Sequence, residues 1–268
     1  MLRSQPDLAS SASLPEVEHA LLKHLCAHIP ERIGVDVGVF RGAYLNLFRQ
    51  AGFRAFGFEP IPSRVAELRR KWAHDPMVTI ERVALSDEDG LADIHLGDWK
   101  IAEEQALNPG DLFNTLEHRP DNDVLTFSGA LSVVRRRLAW FVEAGLIPRD
   151  IGVLKIDAEG HDLAVLRGAW PHLGRVTLCE YWSSDFLFSG GAAKNDLSHY
   201  EDFFADKADM QALVLGRDAA HPALFYQVNP RETARNSWGN ILFTTDAALF
   251  AEATAWCEKI IGAHAARV

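Results

Sequence analysis

The chain has 268 residues, of which 48% are hydrophobic and 24% charged, so it can bury one large core and lacks the composition of a disordered or collagen-like chain. Its formal net charge of −10 argues against a polyanionic partner such as nucleic acid. The run from Arg135 to Arg137 is the candidate basic patch, and we interpret it as a solvated strand edge. The three cysteines lie far apart in apolar stretches, which indicates buried reduced thiols in a reducing compartment.

The sequence predicts a cytoplasmic protein with one main domain. Residues 1–13 lack the apolar run of a signal peptide, and no later stretch is long and apolar enough to span a bilayer. A tail and a first helix occupy residues 1–30. The remaining residues, 31–268, form a single domain with insertions expected near 97–130 and 183–235.

The first helix is expected at residues 14–29, because apolar side chains recur there along one face and Pro30 ends the pattern. His24 and His28 lie one turn apart on this helix and have the spacing of metal ligands. No third ligand lies near them in the sequence, so we interpret them as surface histidines and expect no metal.

Strands and helices then alternate at a spacing that predicts right-handed βαβ units and a parallel sheet, which is an α/β fold. The polar, breaker-rich residues 97–129 are typical of a lid, a substrate loop or a disordered segment. The predicted strands are residues 33–37, 54–58, 78–85, 132–136, 151–156, 175–179, 212–215, 224–228 and 240–243, and the predicted helices are 43–51, 63–72, 138–144, 162–169, 200–208 and 247–261.

Asp36, Gly38 and Gly42 form an Asp-x-Gly-x-x-x-Gly turn after the first strand, where a nucleotide lies in a doubly wound sheet. Pyrophosphate binders use Gly-x-Gly-x-x-Gly, but bulky Val39 and Phe40 stand here where the second glycine would be. S-adenosylmethionine has no phosphate, and a carboxylate such as Asp36 suits its cationic groups. The alternative is that the two glycines only relieve a tight strand-to-helix crossing.

Acidic residues also end the next two predicted strands. Glu59 lies 17 residues after Gly42, where a carboxylate can accept hydrogen bonds from both ribose hydroxyls. The alternative is a solvated residue ahead of Pro60, but a charge at the inner end of an apolar strand needs donors. Asp87, with Ser86 beside it, is placed to accept from an adenine amino group, although it also fits the first residue of an ordinary turn.

A second polar cluster, Lys155, Asp157, Glu159 and His161, surrounds the end of the fourth core strand. Such density at a buried strand end favours a site over a solvated turn. Methyl transfer to a hydroxyl requires an in-line arrangement and a base, and His161 has the right type, with Asp157 or Glu159 able to orient it. The alternative is that His161 stands beside a helix N-cap and moves no proton.

The segments VDVGVFRGAY, FGFEP, RVALSDEDG, LKIDAEGHDLAVLRGA and GNILF, in this order, resemble the FkbM family of S-adenosylmethionine-dependent methyltransferases. The resemblance covers residues 33–182 and the strand at Asn240. It implies a Rossmann-like class I methyltransferase fold, with a mostly parallel seven-stranded sheet and helices on both faces. It also implies O-methylation of a hydroxyl on a sugar, glycan or polyketide-type natural product. The implied cofactor residues are Asp36, Gly38, Gly42 and Glu59.

The chain departs from the family pattern at two places. The glycine turn usually reads Gly-Ala-Asn-x-Gly, whereas Val39 and Phe40 replace the small residue and the amide here. The acidic pair usually found upstream of the fourth strand is Ala139-Trp140 here. The first departure affects one expected contact with the cofactor. The second affects the role expected of the region upstream of the fourth strand.

Metal assistance and the acceptor site are left as alternatives by the sequence. Asp157 and Glu180 have the positions of a magnesium-binding pair, but no third acidic ligand follows Glu180, so metal-independent chemistry is preferred. Aromatic residues beyond the fifth strand fit either an acceptor site for a small molecule or glycan, or simple packing, and a double glycine after them suggests a closing loop. These residues are Tyr181, Trp182, Phe186, Phe188, Gly190 and Gly191.

Two other functions compete with methyl transfer. An NAD-dependent oxidoreductase of a sugar-like substrate shares the acid after the second strand but needs the glycine that Phe40 replaces. A non-catalytic Rossmann-like binding domain is the other alternative.

Overall fold

The structure, a computed structural model, describes residues 14–100, 113–119, 121, 125–183, 185, 195–207, 209–218, 224–230, 235–262 and 266–267. In chain order its elements are α1 (Leu14–Cys26), β1 (Ile33–Val37), α2 (Ala43–Gln50), β2 (Arg54–Phe58), α3 (Pro62–Lys71), β3 (Val78–Glu81), β4 (Ala84–Leu85), β5 (Gly90–Trp99), β6 (Leu125–Arg136), α4 (Leu138–Glu143), β7 (Val153–Ile156), α5 (Asp162–Ala169), β8 (Val176–Trp182), α6 (Leu197–Phe204), β9 (Gln211–Asp218), β10 (Leu224–Val228), β11 (Ser237–Thr244), α7 (Ala247–Ile260) and β12 (Ala266–Arg267).

A mixed sheet forms the centre of the molecule, in the order β12-β10-β9-β11-β8-β7-β1-β2-β3. From β3 to β9 it contains seven strands, of which β11 alone runs in the opposite direction to the others. Strands β10 and β12 extend the sheet beyond β9, so within the described residues the main sheet has nine strands rather than seven. The predicted α/β class and the mostly parallel sheet are confirmed.

Helices cover both faces of this sheet, as predicted. Buried side chains from α1, α2, α3 and α7 form one core layer with one face. Those from α4, α5 and α6 form a second layer with the other face. Within the described residues, no helix combines the length and apolarity that a membrane crossing requires.

The predicted strand at residues 78–85 is divided between two sheets. Strand β3 ends at Glu81 because its neighbour β2 ends at Phe58, the partner of Glu81, and no main-sheet partner remains beyond that point. The chain then enters a second sheet of order β4-β6-β5. Strands β5 and β6 extend as long hairpin arms into the insertion expected near 97–130.

The basic run does not lie on a strand edge, because β6, which carries Arg135 and Arg136, is the middle strand of the second sheet. Arg135 pairs with Glu88 at 2.6 Å, and Arg137 pairs with Asp89 at 3.2 Å. The prediction of a strand edge was therefore wrong, because the β4 pairing that encloses this run joins residues far apart in the sequence.

Gly38 brings the turn after β1 against the end of β7. Its φ is +75°, and a Cβ at this position would lie 1.8 Å from the carbonyl oxygen of Asp157. Its N–H donates to the Phe58 carbonyl oxygen at 3.0 Å. The tight strand-to-helix crossing, which was the alternative explanation for this turn, therefore requires a glycine at Gly38.

We predict that Gly38→Ala lowers the free energy of unfolding by more than Gly145→Ala does. Gly145 has a similar φ of +72° but no atom within 4 Å of the added Cβ, so its substitution measures the cost of the left-handed backbone alone, about 1–2 kcal/mol. The clash at Gly38 adds about 1–3 kcal/mol. Urea denaturation of both variants tests this, and equal losses would contradict it.

Candidate active site

A cleft opens where the carboxyl ends of β1, β2 and β7 meet, which is the expected ligand position in such a sheet. Its empty space, together with the open solvent at its mouth, amounts to about 790 Å³. Part of its wall is apolar, and the rest carries polar or glycine residues. The apolar wall includes Ile61, Leu85, Ile94 and Leu116, and the other wall includes Gly38, Glu59, Asp157, Glu159 and His161.

Glu59 fastens the turn that follows β1. Its side chain is 5% exposed, and its two oxygens accept backbone N–H groups, from Phe40 at 3.1 Å and from Ile61 at 2.9 Å. Phe40 has a φ of +51°, a left-handed conformation that a bulky residue adopts only when its surroundings hold it. Glu59 therefore stabilises the bulky turn through both of its oxygens.

The register of the sheet places Asp36 directly beside Lys155, with both side chains buried. The Lys155 ammonium group donates to Asp157 Oδ2 at 2.8 Å. Neither oxygen of Asp36 accepts a hydrogen bond from a described residue. Burial raises the pKa of Asp36 to about 7, Lys155 opposes that shift, and Asp157 adds to it.

Glu18 reaches this charge cluster from α1. It accepts hydrogen bonds from the Tyr44 hydroxyl and from Asn240 Nδ2, the latter at 2.6 Å. Burial raises the pKa of Glu18 to about 7, against the opposing effect of Lys155. The sequence spacing could have shown that Glu18 is buried, because it lies four residues from both Leu14 and Leu22 on the buried face of the helix.

Asp162 fixes the loop that follows β7. Its Oδ2 accepts the N–H groups of Ala158 at 3.3 Å and Gly160 at 3.2 Å, and its Oδ1 accepts that of Glu180 at 3.1 Å. Burial, with a further contribution from Asp157, raises the pKa of Asp162 to about 6. The loop is therefore tied to the neighbouring strand β8 by one buried side chain.

Glu159 lies at the tip of this loop and lines the cleft. Its φ is +53°, and its carbonyl oxygen accepts hydrogen bonds from Thr115 Oγ1, at 2.8 Å, and from Arg119. The Arg119 guanidinium lies 4.2 Å from the centroid of the Trp182 ring. Burial first, and Asp157 second, raise the pKa of Glu159 well above its ordinary value.

His161 also lines the cleft, but both of its ring nitrogens already have partners. Nδ1 lies 2.6 Å from Glu117 Oε1, and Nε2 lies 2.9 Å from Ser86 Oγ. The carboxylate that orients the ring is therefore Glu117 rather than Asp157 or Glu159. Sequence analysis missed Glu117 because it lies 44 residues from His161, in a segment without clear periodicity.

Ser86 and Asp87 are not among the residues that line the cleft. Ser86 is fully buried, donates to Asp87 Oδ1 at 3.1 Å and contacts His161, while Asp87 is exposed. The cleft wall at this point is formed by Ala84 and Leu85. The adenine contact expected of Asp87 stays a prediction.

Tyr181 and Trp182 pack into the protein. Of the two alternatives for these residues, an acceptor site or simple packing, the structure therefore favours packing. Tyr181 is fully buried and its hydroxyl lies 3.2 Å from Ser237 Oγ, and Trp182 is only 3% exposed. Phe186, Phe188, Gly190 and Gly191 lie outside the described residues.

Comparison with known proteins identifies the family. Residues 32–206 match the methyltransferase FkbM domain. The chain is also similar to the 2-O-methyltransferase NoeI of Sinorhizobium fredii, with 31% identity over 166 residues that cover 60% of this chain and 67% of that protein.

Solved structures give a weaker similarity. The precorrin-6y C5,15-methyltransferase of Geobacter metallireducens has 10% identity and a TM-score of 0.41, covering 90% of this chain and 94% of that one. The O-methyltransferase of Bacillus cereus in complex with SAH has 11% identity and a TM-score of 0.40, covering 89% and 84%. Scores of this size decide nothing about the site. The family match spans more than half of the sequence, and the chain therefore belongs to the FkbM family of S-adenosylmethionine-dependent methyltransferases.

Proposed function

We propose that this chain transfers a methyl group from S-adenosylmethionine to a hydroxyl oxygen of a sugar, glycan or polyketide-type small molecule. The observation that carries the proposal is Glu59, a buried acid that lines the cleft directly after β2 and faces the turn after β1. The similarity to a protein named a 2-O-methyltransferase supports oxygen as the accepting atom.

The residues of the cleft fit this cofactor in three ways. Glu59 lines the cleft directly after β2, where a carboxylate can accept hydrogen bonds from the ribose hydroxyls. The apolar wall that contains Ile61, Leu85 and Ile94 suits a flat adenine ring. Asp36 lies two residues before the cleft-lining Gly38, and its unpartnered oxygens attract the cationic amino group from beneath.

When bound, S-adenosylmethionine supplies a methyl group on a positively charged sulfur, which a hydroxyl oxygen attacks in line. The hydroxyl proton must leave as the new oxygen–carbon bond forms, so a base within the cleft is required. In this proposal Glu159 takes that proton, because burial has raised its pKa and it lines the cleft. His161 is hydrogen-bonded to Glu117 and Ser86, and it holds the part of the cleft wall beside Glu159 in position.

We predict that S-adenosylhomocysteine raises the thermal unfolding midpoint of the native protein and that NAD does not. Glu59→Gln removes a charged acceptor, so it weakens binding by about 10- to 100-fold in isothermal titration calorimetry. The control is Glu143→Gln, an exposed acid at the end of α4, which binds like the native protein. Stabilisation by NAD alone, or by neither ligand, would sink the proposal.

We predict that affinity for S-adenosylhomocysteine rises between pH 6 and pH 8. Because the pKa of Asp36 is raised to about 7, its carboxyl group is mostly neutral at pH 6 and charged at pH 8, where it attracts the ligand's amino group. Affinity rises by up to about tenfold per pH unit below the pKa. The Asp36→Asn variant loses the pH dependence of affinity that Asp36 causes. Any pH dependence that remains in this variant is due to Glu18, and the Glu18→Gln variant measures that contribution. A flat native curve would contradict the assignment.

We predict that Glu159→Gln lowers kcat for methyl transfer by about 10²- to 10⁴-fold while leaving S-adenosylhomocysteine binding intact. His161→Asn retains most of the activity, because the native ring nitrogens are already hydrogen-bonded within the protein. The measurement is release of S-adenosylhomocysteine with a panel of mono- and oligosaccharide acceptors. If the two variants showed the opposite order, His161 would be the base.

A further inference from the structure

Three side chains of metal-ligand type meet at the surface between α1 and α7. His24 and His28 come from the first helix and the turn that follows it, and Glu252 comes from the last helix, 228 residues beyond His24. One ligand atom from each lies within 4.8 Å of the other two. The third ligand that the sequence lacked beside the two histidines is therefore supplied by the fold.

The distances within this group suit a small cation. His24 Nε2 lies 2.7 Å from Glu252 Oε1, and His28 Nε2 lies 3.7 Å from the same oxygen. Two ligands of a tetrahedral zinc ion, each about 2.1 Å from the metal, stand roughly 3.4 Å apart. The two separations from Glu252 Oε1 lie on either side of that value, and the ligand atoms of the two histidines lie within 4.8 Å of each other.

Apolar packing fixes the backbone on both sides of the group. The histidines are four residues apart and their ring centroids lie 5.0 Å apart, so His24 from α1 and His28 from the turn directly after it project to the same side. Leu25, from α1, and Ala253, next to Glu252 on α7, are fully buried in the same core layer. The ligands thus stand on packed elements rather than on a free loop.

The group is open enough to accept an ion. The side chains of His24, His28 and Glu252 are 33%, 45% and 40% exposed, which leaves room for water to complete the coordination. None of the three lines the cleft, and all lie outside residues 32–206, which match the family domain. The site is therefore a feature of this chain that is separate from methyl transfer.

We propose that His24, His28 and Glu252 bind one Zn²⁺ ion, which clamps α1 onto α7. Two imidazoles and one carboxylate, with water at the open position, form a well-known zinc ligand set. The competing interpretation is a surface hydrogen bond between His24 and Glu252 with no ion. Because α1 also carries Glu18, the clamp holds the helix that supplies a carboxyl group to the charge cluster beneath the cleft.

The test uses full-length, tag-free protein freed of metal by a chelator, titrated with zinc chloride in a calorimeter and melted with and without zinc. The native protein is expected to bind one Zn²⁺ and to unfold at a higher temperature with zinc. His28→Ala and Glu252→Gln each weaken this binding by at least about tenfold and abolish the thermal shift. The control, His74→Ala, removes an exposed histidine elsewhere and leaves both readouts unchanged.

Glu252→Gln isolates the proposed site from the other close histidine pair, His95 and His118, whose ring centroids lie 5.4 Å apart. Zinc bound by His95 and His118 is unaffected by Glu252→Gln. Only the part of the zinc binding that this variant loses is therefore assigned to the proposed site. Circular dichroism and the melting temperature without zinc check that the variants fold. Zinc binding by Glu252→Gln as tight as that of the native protein, or no binding by the native protein, would overturn the proposal.

Discussion

The buried ammonium group of Lys155 is the interaction on which the arrangement of the site depends. The residue is 3% exposed, and an unpaired charge at such a position costs several kcal/mol. Burial alone would lower the pKa of Lys155, but Asp157, Asp36 and Glu18 together raise it above its ordinary value, so the charge persists. The first helix must therefore dock on this face of the sheet, because it carries one of the three carboxyl groups.

This charge cluster is coupled to the cleft through the backbone. Asp157 accepts a hydrogen bond from Lys155 and begins the loop that Gly38 presses against. On either side of this contact, Phe40 and Glu159 hold left-handed conformations that are unfavourable for residues with a side chain. Glu59 accepts the N–H of Phe40, and Asp162 accepts the N–H groups of the residues on either side of Glu159, so the strain and its support both lie at the cleft.

The two sheets contribute different parts of the site. The main sheet supplies the strand ends with their glycine, acids and histidine, and these positions follow directly from its parallel register. The second sheet and the segment 113–119 supply Ile94 and Leu116, which form the opposite wall of the cleft. Changes in that second sheet can alter the shape of the cleft without disturbing the strand ends, because the two sheets have separate backbone pairings.

The sequence alone determined the parallel α/β core and the presence of Glu59 at a strand end, because hydrophobic alternation fixes strands and the carboxyl ends of parallel strands share one edge. It also indicated which face of each element is buried. Only the tertiary structure decided that Glu18 stands beside Lys155 and that Glu117 holds His161. Periodicity reveals the face on which a side chain lies, but the residue that meets it comes from a distant part of the chain and is chosen by packing.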